Sequence, residues 1–278
     1  MPYLAAIIVG AALAASGAAL QSLLANPLAE PYILGTVGSA ALAAAAACAL
    51  GLETSLGMWV RNAAALSGAA AGLLLVLAVA RSSKNRSKST IILAGFVVGS
   101  FTGSADMVVM QTLPPEQFAD LSRWLYGNLS SPDPMALAVA SAMVAVSLAG
   151  LYSQNRSLDA LALGPDTAAT LGVNVKKTTL ATLACCAAAT AAAVSLAGAI
   201  GFLGLVVPHA VRRFTGASHR RVLPASALAG ALALMAAQYV CELADRRVTA
   251  GGVCALALSP VFFAMLAKGG LDGSSADR

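Results

Sequence analysis

Residues 158–197 read LDALALGPDTAATLGVNVKK and then TTLATLACCAAATAAAVSLA. The second half carries no Asp, Glu, Lys or Arg. It is long enough to cross a membrane as a helix, which takes about 20 apolar residues for a hydrocarbon core of roughly 30 Å. The first half, Leu158 to Lys177, is too polar to be another span and predicts a very short helix. Pro165 sits where a first helical residue belongs, because its missing N–H costs nothing there. Asp166 follows in the first turn, at the positive end of the helix dipole. Leu171 ends the run, Gly172 offers a left-handed stop, and Lys176 and Lys177 precede the return of apolar sequence. A short, punctuated helix between two spans reads as a contact surface for something outside the membrane. An ordinary connecting loop is the other reading of the same pattern.

The rest of the chain repeats the apolar theme. Of 278 residues, 59% are hydrophobic and 10% charged, with a mean hydropathy of +0.80. A soluble domain carries roughly 25% charged residues. The chain is therefore an all-α integral membrane protein, a polytopic helical bundle forming one transmembrane domain over 1–278. Its apolar runs are rich in Ala, Gly and Leu, and small residues let helices approach closely inside lipid. Met1 and Pro2 lead into apolar sequence without the basic leader of a cleavable signal. Cys48, Cys185, Cys186, Cys241 and Cys254 lie in or near apolar runs without metal-ligand spacing, and read as small packing residues.

Nine spans are expected, near 3–25, 33–50, 62–80, 91–112, 135–153, 178–197, 200–211, 224–241 and 250–267. The seventh is too short to cross alone unless its ends are buried in protein. Basic residues cluster in the connection RSSKNRSKST at 81–90, in Arg156, Lys176 and Lys177, in Arg212, Arg213, Arg220 and Arg221, and in the tail at Lys268 and Arg278. Only Arg61, Arg123, Arg246 and Arg247 fall on the other side. The positive-inside rule puts the richer side, with the C-terminus, in the cytoplasm. Nine spans then leave the N-terminus outside, so either a span precedes this chain or the count is off by one. Residues 113–134, LPPEQFADLSRWLYGNLSSPDP, fall outside, with Trp124 and Tyr126 suited to the membrane–water interface.

Polar residues within apolar sequence are candidates for function. Gln21 and Asn26 follow the small-residue run GAALAASGAAL, and Pro27 and Pro31 then break the helix twice. Non-helical backbone at membrane depth is tolerated only within protein or beside a water-filled cavity. Two readings stay open: a break lining a pathway, or a cytoplasmic turn between two helices. Asp106 is the one acid deep in an apolar run. His209, beside Arg residues at a helix end, reads as a structural hydrogen-bonder, and His219 as a solvated residue of a basic loop. The chain has no Gly-Lys-Ser/Thr phosphate loop, no His-Glu metal motif and no hydrolase triad. If transport uses ATP, another subunit must hydrolyse it.

Four blocks give the chain a resemblance to a known family. They are Gly10–Gly38 (GAALAASGAALQSLLANPLAEPYILGTVG); Ile91–Gly95 with Trp124–Leu129 (WLYGNL); 160–175 (ALALGPDTAATLGVNV); and Ser195–Pro224 (SLAGAIGFLGLVVPHAVRRFTGASHRRVLP), with a weaker echo at Ser259–Phe263. In that order they resemble the membrane subunits of ATP-driven ABC importers for ferric siderophores, haem and cobalamin, the type II importer permeases. The resemblance implies ten helices per subunit in a bacterial inner membrane, against about nine here. It implies a second copy of the permease or a homologous one, two cytoplasmic ATPase subunits holding ATP and Mg, and an external substrate-binding protein. No cofactor is implied in this chain and no nucleic acid.

The segment 158–177 would couple to the ATPase through Leu161, Leu163, Gly164, Asp166, Leu171 and Gly172. Gln21, Asn26 and Pro27, with a gate near Lys88 and Ser89, would lie on the translocation pathway. Arg246 and Arg247 would dock the binding protein. The chain departs from the family pattern in three places. A helix and a basic stretch usually precede the first block; Gly164 is followed by Pro165 where Glu is usual, and Ala169 stands for Arg; Arg247-Val248-Thr249 replaces an outer Glu-Leu-Pro. Two other functions remain compatible with the residues alone, an ion-coupled transporter using Asp106 and an inactive permease lacking its first helix.

Overall fold

The structure, a computed structural model, describes residues 1–57, 59–82, 88–129, 133–245 and 247–267. All regular structure among them is helical. The elements are α1 (Pro2–Leu23), a 3-10 turn (Pro31–Leu34), α2 (Thr36–Ala49), α3 (Leu52–Leu56), α4 (Trp59–Ser82), α5 (Lys88–Met110), α6 (Pro115–Leu125), α7 (Pro134–Ser153), α8 (Asn155–Ala162), α9 (Pro165–Thr170), α10 (Val175–Ala197), α11 (Leu203–Thr215), α12 (His219–Leu243) and α13 (Ala250–Ala267). Six of these helices are long and apolar enough to cross a membrane: α1, α4, α5, α7, α10 and α12.

The bundle is built around α1 and α10, which pack against each other and are buried along most of their length. Small residues make this possible. A methyl group on Gly10 would lie 2.3 Å from the Gly230 carbonyl oxygen, and one on Gly17 would lie 1.8 Å from that of Gly204. Helices α12 and α11 therefore cross α1 almost backbone to backbone, the contact geometry that glycine permits inside a membrane. The core between them is largely alanine, with Leu13, Leu20, Leu196, Leu203 and Leu234 filling the gaps.

Each of the nine expected spans is helical, but three boundaries move for identifiable reasons. The second begins at Thr36, not 33. Pro31 opens a 3-10 turn, and Gly35, at φ 69°, turns the chain into a helix of only 14 residues. The seventh runs through Pro208 to Thr215. Proline deprives the Gly204 carbonyl of its helical donor, and the Gln21 side-chain amide approaches that oxygen at 3.4 Å and the Leu205 oxygen at 3.1 Å. The eighth starts at His219, because Asp159 accepts the His219 N–H at 2.8 Å and so satisfies an orphan donor of the first turn. Outside the spans, Pro115–Leu125 forms an amphipathic helix. It buries Trp124, which the sequence places at the membrane interface, and leaves Tyr126 exposed.

Candidate functional site

Helix α7 ends at Ser153 and the chain folds at once into α8. Leu158 and Leu161 lie on one face of α8 and are buried against the ends of α1 and α12. Leu163 is the C-cap. Gly164, at φ 116°, reverses the chain into α9, whose Ala168 packs inward. Gly172, at φ 81°, makes the left-handed stop expected of it. Asn174 then caps α10 by accepting the Lys177 N–H at 3.0 Å.

The segment is thus two short helices where the sequence predicts one. Its six expected contact residues also divide. Leu161 is 2% exposed and belongs to the core, whereas Leu163 and Leu171 are 69% and 64% exposed. Asp166 and Gly172 are exposed with them, and Gly164 is half-buried. Two bulky leucines stand free on a surface whose other leucines are inside.

A chain of polar contacts ties this segment to the bundle. The Asp159 carboxylate on α8 accepts from the His219 N–H, faces the His219 ring Nδ1 at 2.5 Å and accepts from the Ser218 hydroxyl at 3.2 Å. The other ring nitrogen, Nε2, lies 2.7 Å from Ser22 Oγ on α1. Arg212 on α11 donates to Ser22 Oγ at 3.3 Å, to the Ala18 carbonyl at 2.9 Å and to the Gln21 side-chain oxygen. Gln21 continues to the Gly204 and Leu205 carbonyls. His219 is therefore not a solvated loop residue: it is 1% exposed, and both ring nitrogens have partners. Nothing local in the sequence announces this, because Asp159 and His219 are 60 residues apart.

The two breaks in the helical backbone meet each other. Asn26 accepts the Leu28 N–H at 2.9 Å in a tight turn, with Pro27 exposed, so these two residues sit at the end of α1. The chain then climbs back to Pro31, which a methyl on Gly204 would touch at 2.5 Å; Gly204 itself lies against Leu13 and Gly17, at the middle of α1. Here Glu30 accepts the Phe202 N–H at 2.7 Å and the Tyr32 hydroxyl accepts the Ile200 N–H. Side chains of the first break thus satisfy backbone donors of the second, as irregular backbone buried among helices requires. Glu30 and Tyr32 escaped the sequence reading, although both lie in the block that carries the resemblance.

Beside this crossing is a cavity of about 390 Å³ lined by Tyr32, Ile92, Gly95, Phe96, Gly99 and Ser100. Helix α5 also exposes Phe96, which lines the cavity, and Val97, Phe101, Met107 and Val108. Lys88 and Ser89 fall in the first turn of α5, and their side chains lie outside the described residues. Asp106 is 8% exposed, and one of its oxygens has no hydrogen-bond partner among the described residues. His209 is half-buried on α11. Arg247 is exposed just before α13, and Arg246 lies outside the described residues.

Apolar helices packed through glycine, two stretches of irregular backbone that meet beside the middle of α1 and two short helices latched to the ends of α1 and α12 define a polytopic membrane permease. The chain belongs to the FecCD transport family, whose model matches residues 2–268. It is 37% identical over 258 residues to the cobalamin import system permease protein BtuC of Halobacterium salinarum, covering 93% of this chain and 69% of that one. It is 38% identical over 240 residues to the Fe(3+) dicitrate transport system permease protein FecD of Escherichia coli, covering 86% and 74%. Its fold matches a solved inward-facing metal-chelate type ABC transporter with a TM-score of 0.88 at 25% identity, over 96% of this chain and 85% of that one.

Proposed function

We propose that this chain is the membrane permease of an ATP-driven importer whose cargo is an iron chelate, such as a ferric siderophore or haem, or cobalamin. The names of its relatives supply that substrate class. Two copies, or this chain with a homologous permease, enclose the path, and the cavity and exposed apolar face of α5 lie along it. Asn26 and Pro27 sit at the basic end of that path, with the gate near Lys88 and Ser89, while Gln21 braces it from behind. The basic end faces the cytoplasm, as does the C-terminus. Two ATPase subunits dock there and hold ATP and Mg; this chain makes and breaks no covalent bond and carries no cofactor of its own. An external binding protein delivers the cargo at the opposite end, near Arg246 and Arg247.

One observation carries the coupling role: Leu163 and Leu171 stand exposed on a segment anchored by Leu158, Asp159 and Leu161. Leu163, Gly164, Asp166, Leu171 and Gly172 form the ATPase contact, and Leu161 fixes its base. ATP does work on the bundle only if this contact differs in free energy between the two ATPase states. Replacing Leu163 and Leu171 with Arg tests the assignment. ATPase association and ATP-dependent uptake are expected to fall together while the permease itself stays folded. Survival of both would place the contact elsewhere.

A further inference from the structure

We propose that Asp159, His219, Ser22 and Arg212 form a positioning relay that carries motion of the coupling segment to the broken-span crossing. This rests on the reading of α8 and α9 as the ATPase contact. It adds the route by which a push there reaches the pathway.

Apolar packing alone leaves α8 free to slide. Leu158 and Leu161 meet α1 and α12 through non-directional contacts, which resist separation far better than rotation. The Asp159 carboxylate removes that freedom. It holds the first turn of α12 at three points: the His219 N–H, the His219 ring and the Ser218 hydroxyl. Charge-assisted bonds of this kind are short and directional.

The remaining links run in one sense. With its proton on Nδ1, facing Asp159, the neutral His219 ring offers Nε2 as an acceptor to the Ser22 hydroxyl. Ser22 Oγ in turn accepts from Arg212. A cation on α11 and an anion on α8 thus terminate a chain of neutral groups that crosses α12 and α1. Hydrogen bonds aligned in this way polarise one another. Beyond Arg212, Gln21 holds the Gly204 and Leu205 carbonyls. These lie within three residues of Phe202, whose N–H is bound by Glu30 across the crossing. Four helices and both breaks are therefore joined by directional contacts into one unit, which moves together or breaks a bond.

Satisfying buried polar groups would by itself account for such contacts, so the test must separate stability from coupling. The permease is reconstituted in proteoliposomes with its ATPase and binding protein, and ATP hydrolysed per substrate imported is measured. In Asp159→Ala and His219→Phe, the ATPase is expected to remain bound and hydrolysis to continue. The ATP consumed per import should rise about tenfold or more, the factor set by losing a charge-assisted hydrogen bond. Asp159→Asn and His219→Gln, which keep part of the bonding, should recover most of the coupling.

A second variant guards against a folding defect. Asp159→Cys with Ser218→Cys is compared before and after bridging by a short thiol-specific cross-linker, in the same protein preparation. Bridging should restore import per ATP. Unchanged stoichiometry in Asp159→Ala and His219→Phe, or in the cysteine pair before and after bridging, would overturn the relay. Loss of ATPase binding in the Leu163→Arg, Leu171→Arg protein supports the coupling surface independently. Its retention would sink that surface and with it the relay as a route from the ATPase, whereas unchanged stoichiometry in the relay variants alone sinks only the relay.

Discussion

Gly17→Ala adds one methyl at the tightest crossing in the bundle. That carbon would lie 1.8 Å from the Gly204 oxygen and 2.5 Å from its carbonyl carbon, both backbone atoms that cannot rotate away. Ordinary contact begins at 3.4 Å, so α1 and α11 must part by about 1.6 Å at this point. A shift of that size takes the Gln21 bond to the Leu205 oxygen, now 3.1 Å, beyond hydrogen-bonding range. Overpacking costs about 1–3 kcal/mol, and a buried amide and carbonyl left unpaired cost about 1–3 kcal/mol more. A loss of about 2–6 kcal/mol is expected in reversible unfolding in mixed detergent micelles, with import falling in parallel. Gly103→Ala is the control, since nothing lies within 4 Å of its added methyl. That variant should match or exceed the parent by about 0.5–1 kcal/mol through helix propensity. Equal stability of the two variants would refute the claim that α1 and α11 meet backbone to backbone.

Leu161→Ala should cost about 2–5 kcal/mol as a buried leucine, whereas Leu171→Ala should change stability by no more than about 0.5 kcal/mol and weaken ATPase association. Equilibrium unfolding and co-purification of the ATPase check both. Tyr32→Phe removes the acceptor of the buried Ile200 N–H and should cost about 1–3 kcal/mol, read as faster amide exchange around 198–203. Gln21→Leu removes one of the three acceptors of Arg212 and the side-chain donor that approaches the Gly204 and Leu205 carbonyls. It should destabilise more than Gln21→Glu, which still accepts from Arg212, in the same unfolding assay.

The membrane class, the helical architecture and the special character of 158–177 follow from patterns that are local. Charge, hydropathy and Pro/Gly punctuation act over a few residues, and Pro165 and Gly172 sit where such rules place them. What stayed hidden depends on residues far apart in the chain. His219 looks solvated because Arg220 and Arg221 follow it, and only the fold brings Asp159, 60 positions away, and Ser22 onto its ring. Helix α8 is only eight residues long, so the apolar positions Leu158 and Leu161 are too few to declare a helix. The Gly204 carbonyl that Pro208 frees is served by Gln21, 183 residues away from that glycine, which no local pattern shows. Leu161 and Leu163 look alike in sequence. Only the fold shows that one is inside and the other free.

The most direct test of ATP-driven import is uptake of a labelled ferric chelate or cobalamin into proteoliposomes containing this chain, its ATPase and its binding protein. Uptake is predicted to require hydrolysable ATP, to proceed without an ion gradient and to vanish when Leu163 and Leu171 are both replaced by Arg. Uptake that runs on an ion gradient in the absence of the ATPase, or that survives the double replacement at full rate, would contradict the account.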